Sequence, residues 1–157
     1  MIFKRFFVVD GRGVSRTSDL MAFDKALFES GISQCNLVPV SSILPAESAE
    51  IAPIPITPGE ITFTVLSRED GIAGEDITAG IAWAYCSKGG RKSYGIVAED
   101  HGKKTREECE RDLRIKINEM ASARGMEAVE YHSRISDLKD IPPKSFGCVV
   151  SALIYSP

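Results

Sequence analysis

Histidine is scarce in this chain: 157 residues hold only His101 and His132. Two isolated histidines without paired carboxylates do not write a metal site, and none is expected. Cysteine is little better supplied. Cys35, Cys86, Cys109 and Cys148 stand far apart with no C-x-x-C pair, which excludes a zinc knuckle and a thioredoxin-type motif and leaves reduced, mostly buried thiols as the expectation. A one-signed charge surplus is missing too. Nineteen basic and 22 acidic residues give a net charge of -3 and are mixed along the chain, so no electrostatic case for nucleic acid arises. The basic residues between 103 and 116 alternate with Glu107, Glu108, Glu110 and Asp112 and read as a solvated helix face. No apolar run approaches the roughly 20 residues that span a bilayer. The opening Met1-Ile2-Phe3-Lys4-Arg5 has no signal-peptide core, so no membrane partner and a cytoplasmic protein are expected.

With 43% hydrophobic residues, the chain is long enough to bury roughly two thirds of its unfolded surface in one domain over 1–157. Residues 2 to 10 are rich in β-branched and aromatic side chains and predict a strand, closed by a turn at Asp10-Gly11-Arg12-Gly13. The helix signal comes too late after those glycines for a phosphate loop. Thr17 and Ser18 can cap a helix to about Ser30, with Gly31 as its stop. Leu20, Phe23, Leu27 and Phe28 supply its apolar stripe, and Asp24 lies at the stripe's edge, where a surface carboxylate is the plain reading. Residues 35 to 40 predict a short buried strand. Pro45, Pro53, Pro55 and Pro58 then make a stiff surface segment that forbids regular helix.

Three strands follow, at 60–68, 77–85 and 94–99, and suggest an antiparallel meander. Glu99 closes the third, where an apolar element meets a loop and desolvation can raise a carboxyl pKa. Thr105 and Glu108 form a capping box for a long helix ending near Arg124 and Gly125, with Cys109, Leu113, Ile117, Met120 and Ala121 facing inward. Strands at 128–135 and 146–155 complete the chain. Runs of consecutive strands with only two helices predict an α+β fold, a layered αββα sandwich with mainly antiparallel sheets. Between the early apolar run and the prolines stands Ser41-Ser42, by itself an unremarked strand end.

Its company gives the pair meaning. Leu20, Ala22-Phe23-Asp24, Ala26-Leu27, Gly31-Ile32, Asn36-Leu37, Ser41-Ser42-Ile43 and Pro45 resemble the pyruvoyl-dependent arginine decarboxylases in order and spacing. Gly95-Ile96-Val97-Ala98-Glu99 with Gly102-Lys103 forms a second matching block, and Gly74-Glu75 with residues 77–84 matches more loosely. The resemblance implies self-cleavage by serinolysis between Ser41 and Ser42 into a β chain 1–41 and an α chain 42–157. Ser42 would become a pyruvoyl group, which forms a Schiff base with a substrate amine and replaces pyridoxal phosphate.

In similar enzymes the residue matching Glu99 donates a proton to the product carbanion, and that matching Asn36 stabilises the oxyanion of cleavage. Asp24 matches the residue that grips the guanidinium of L-arginine, and Leu20 matches a pocket wall. Agmatine would be the product, and a homotrimer or a dimer of trimers with sites between protomers the assembly. The chain departs from the pattern at Ser33-Gln34-Cys35, where relatives carry smaller or aliphatic residues, and at Asp100-His101. Two other readings remain open: the same chemistry on another amino acid, or an unprocessed homologue that serves as a binding or assembly protein.

Overall fold

A computed structural model describes all residues from Met1 to Pro157. It contains β1 (Arg5–Ser15), α1 (Asp19–Glu29), β2 (Asn36–Pro39), β3 (Ile43–Leu44), β4 (Ala49–Glu50), β5 (Ile61–Ile72), β6 (Ile77–Lys88), β7 (Arg91–Gly102), α2 (Arg106–Ala123), β8 (Glu127–Leu138) and β9 (Phe146–Ser156). One sheet has the order β2-β5-β9-β1-β4 and the other β3-β7-β6-β8. The long pairings are all antiparallel; only the short edges β1 with β4 and β2 with β5 run parallel. The layered α+β sandwich is as predicted.

The inner faces of the sheets meet through Phe6, Val8, Leu44, Val65, Ile81, Trp83, Val97 and Leu153, all nearly inaccessible. Alternation places these side chains: residues two apart on a strand share a face. α2 covers the second sheet with Cys109, Leu113, Ile117 and Ala121, packed on Ala82, Ala84, Ile96 and Ala98. Its N-terminus is closed by the capping box foreseen from sequence, Thr105 Oγ1 accepting from the Glu108 amide at 3.1 Å and Glu108 Oε2 from the Thr105 amide at 2.8 Å. Gly125 follows with φ +67, the left-handed turn that ends a helix.

Several expectations fail for physical reasons. Gly11 and Gly13 make no turn; β1 runs through them, paired with Val150 and Cys148. A Cβ at either position would collide with the α1 backbone, at the carbonyls of Ala26 and Ala22, so these glycines admit a close helix. For the same reason α1 turns in its smallest residues, Ala22 and Ala26, with Phe23 and Leu27 partly buried, while Leu20 and Phe28 are left 66% and 76% exposed. Residues 36–39 form an edge strand rather than a buried one, because β2 pairs only with β5. The meander also breaks: β5 pairs with β9 and β2 in one sheet, and β6 and β7 form a hairpin in the other. The proline segment contributes the two residues of β4 to the first sheet. Glu99 does not close its strand, since β7 continues to Gly102 and pairs Glu99 with Ile81.

Candidate active site

Between Pro39 and Ile43 the chain leaves the edge of the first sheet and joins the edge of the second. Ser41 and Ser42 are this crossing. Its flanks are held firmly. The Val40 amide donates to the Thr64 carbonyl at 2.9 Å and the Val97 amide to the Ser42 carbonyl at 2.9 Å. The Tyr155 hydroxyl donates to the Ile43 carbonyl at 2.8 Å, and Leu44 is wholly buried. The Tyr155 hydroxyl is itself pushed up to about 12 by burial, so it stays a donor at any ordinary pH.

Each serine lines a different cleft of about 410 Å³. Ser41 is exposed beside an apolar one formed with Phe3, Val40, Ile43, Phe63 and Tyr155. Ser42 is half-buried in one of mixed lining, shared with Val97, Ala98, Met120 and Ala123 and with the charged Glu99, Lys116, Glu119 and Arg124. The structure therefore brings Ser42 and Glu99 to the lining of one cleft. Burial raises the Glu99 carboxyl above the ordinary glutamate value, against the opposing charges of His101 and Lys116. A carboxyl so placed keeps a proton into a higher pH range than a solvated one.

Asn36, Asp24 and Leu20 lie elsewhere in the chain. Asn36 opens β2, and its Nδ2 donates to the Gly59 carbonyl at 2.9 Å. Asp24 and Leu20 point outward on α1, both exposed. None of the three lines either cleft beside the serines. His101, beside Glu99, faces Glu69 on β5 at 3.2 Å. Nowhere do three or more His, Cys, Asp or Glu side chains converge as a metal site requires.

Sequence reasoning missed Asp100 and Lys116. The 103–116 region is not simply a solvated face: Lys104 and Lys116 both reach the Asp100 carboxylate, at 2.8 and 2.7 Å, and that carboxylate is 7% accessible. Burial alone would raise Asp100, but the hydrogen bonds and charges of the two lysines outweigh it and hold the carboxyl below its ordinary value. The spacing of Asp100 and Lys104 on one side of the turn into α2 is the only part of this cluster visible in sequence.

No helix is long and apolar enough to cross a membrane. A family model for pyruvoyl-dependent arginine decarboxylase matches residues 5–157. The chain is 34% identical over 152 residues to a pyruvoyl-dependent arginine decarboxylase of Methanopyrus kandleri, covering 97% of this chain and 96% of that protein. It is 33% identical over 147 residues to one of Methanococcus vannielii, covering 92% and 85%, and 32% identical over 139 residues to one of Thermococcus sibiricus, covering 85% and 86%. With a match across almost its whole length and these relatives, the chain belongs to the pyruvoyl-dependent arginine decarboxylase family.

Proposed function

We propose that this protein cleaves itself between Ser41 and Ser42 and decarboxylates L-arginine to agmatine and carbon dioxide. The observation that carries the reading is the shared cleft of Ser42 and Glu99, half-buried beside a backbone pinned on both sides. In the cleavage, Ser42 Oγ attacks the Ser41 carbonyl carbon, the peptide C–N bond breaks, and Ser41 passes to Oγ as an ester. Loss of the residue 42 α-proton with the Cβ–Oγ bond frees Ser41 as a carboxylate and leaves dehydroalanine. Water then replaces its nitrogen, which departs as ammonia, and a pyruvoyl group begins the chain 42–157.

The cleft suits that group: it opens to solvent at Ser42 and carries one desolvated carboxyl, Glu99, with one ammonium, Lys116. A pyruvoyl carbonyl supplies the electrophile that binds a substrate amine and draws off the electron pair left by departing carbon dioxide. Glu99, whose carboxyl is raised by burial above the ordinary glutamate value, supplies the proton that the product carbon needs. Asn36 serves the cleavage, Asp24 pairs with the guanidinium and Leu20 walls the pocket. Because none of these three lines the cleft of Ser42 within one chain, they serve it from a neighbouring copy, as in a homotrimer or a dimer of trimers. The free thiols of Cys35, Cys86, Cys109 and Cys148 agree with a reducing cytoplasm.

Product analysis with L-arginine, L-lysine and L-ornithine tests the reading. Agmatine is expected from arginine, with the other two amino acids far behind. Asp24→Asn should erase that preference by lowering kcat/KM for arginine about 10- to 100-fold, the worth of a lost charge-assisted bond. Unchanged selectivity in Asp24→Asn removes its role, and no carbon dioxide from any of the three removes the activity.

A further inference from the structure

We infer that Lys116, anchored by Asp100, is a positioning residue that stands in for a missing strand at the open edge of β7 and thereby fixes Glu99 in the cleft. The inference rests on the reading of Glu99 as the proton-holding group. The pairing of β3 with β7 covers only Ile43 with Ile96 and Leu44 with Gly95, extended by the bond from the Val97 amide to the Ser42 carbonyl. At Ser42 the chain then departs toward the other sheet. In an antiparallel ladder, residues two apart direct their backbone groups to the same side. Glu99, two beyond Val97, therefore presents its carbonyl to an edge that no strand covers. Lys116 Nζ fills that vacancy, donating to the Glu99 carbonyl at 2.8 Å and to Asp100 Oδ1 at 2.7 Å.

The anchor is itself braced. Lys104 Nζ donates to Asp100 Oδ2 and to Asp112 Oδ2, both at 2.8 Å, so each oxygen of the buried Asp100 carboxylate has an ammonium. A long, flexible lysine side chain loses entropy when held; here two acceptors on adjacent residues hold it. Lys116 thus ties α2 to the backbone of Glu99, the residue that lines the cleft with Ser42. Its charge, with that of His101, also opposes the burial of the Glu99 carboxyl. The other charged groups lining the cleft are Glu119 on α2 and Arg124 at its C-cap, and Glu69 on β5 faces His101.

Replacing Lys116 by Met removes both the bond and the charge. The side chain is 46% exposed and the buried stripe of α2 does not include it, so the variant keeps its fold. With carboxyl-labelled glutamate in the processed protein, the Glu99 resonance is assigned by its loss in Glu99→Gln and titrated by NMR. The midpoint in Lys116→Met is expected about 0.5 to 1 unit above the parent. Lys116→Arg, which retains charge and donors, is expected to restore the parental midpoint. Turnover in Lys116→Met should fall about 10-fold in kcat at nearly constant KM, the signature of a misplaced group rather than a lost substrate contact. A midpoint unchanged in Lys116→Met overturns the inference, as does a kcat equal to the parent's. The two readings fail separately: full turnover in Glu99→Gln removes Glu99 as the proton group whatever Lys116 does, whereas inactive Glu99→Gln with an unmoved midpoint in Lys116→Met removes the role of Lys116 alone.

Discussion

The two helices cover their sheets by opposite means. α1 lies backbone to backbone on β1, admitted by Gly11 and Gly13 and fully burying only Ala22 and Ala26. α2 stands off on longer side chains: a Cβ added at Gly80 would meet the Cys109 sulfur and a Leu113 methyl rather than backbone. The consequence is a division of labour. The tight α1 contact leaves Leu20, Met21 and Phe28 outside, beside the exposed Asp24, as a surface suited to meeting a neighbour. The spaced α2 contact leaves a cleft over the β7 edge, where Ser42, Glu99 and Lys116 gather. On the proposed reading, recognition lies on the α1 side and chemistry on the α2 side.

The largest effect that sharpens this contrast is expected on the α2 side. Glu99→Gln should cleave normally yet lose about 10²- to 10⁴-fold in kcat, the usual worth of a positioned proton donor. Single-turnover measurement on the fully cleaved variant checks it, and near-normal turnover removes Glu99 from that role.

Packing tests come next. Leu113→Ala should cost about 3 kcal/mol by leaving a cavity under α2. Gly13→Ala should cost at least about 2 kcal/mol for the opposite reason, since the added methyl meets the α1 backbone, which yields less readily than a side chain. Urea unfolding of the Ser42→Ala background, which cannot be cleaved, measures both. A neutral Gly13→Ala would mean that α1 is not held close.

The smallest effect concerns pH. The folded-state pKa of Glu99 is raised by burial, so the stability it brings is complete below the ordinary glutamate value and is lost as pH rises through the folded one. Glu99→Gln removes an unfavourably buried carboxylate and should therefore raise Tm relative to the parent by about 2 °C at pH 7, with the gain vanishing near pH 4. A gain that grows on acidification has the wrong sign for this account.

Local chemistry made part of the molecule legible from sequence. The capping box at Thr105 and Glu108, the Ser18 cap and the stop at Gly125 each rest on neighbours in the chain, and all are present. Gly11 and Gly13 were misleading because glycine serves turns and close approaches alike, and only the position of α1 decides between them. The apolar run at 35–40 looked buried because a short run does not reveal whether one side of its strand is left unpaired. Ser41-Ser42 gained meaning from its resemblance to a family rather than from composition. The pairing of Lys116 with Asp100 joins α2 to β7 across a turn and half a helix, beyond the reach of any local pattern. Asp24 and Leu20 were legible only as parts of that resemblance, since both are exposed on α1 and line neither cleft beside the serines.

The central claim is that the crossing between the two sheets is a site of self-cleavage, and intact mass under denaturing conditions tests it most directly. The β chain would keep β1, paired with β9 along eleven residues, so the halves should stay together in native buffer and separate only when unfolded. The account predicts two species, residues 1–41 with an ordinary carboxyl end and residues 42–157 without a free amino terminus. Ser42→Ala should give one. A single full-length species that persists after prolonged incubation of the parent protein would contradict it.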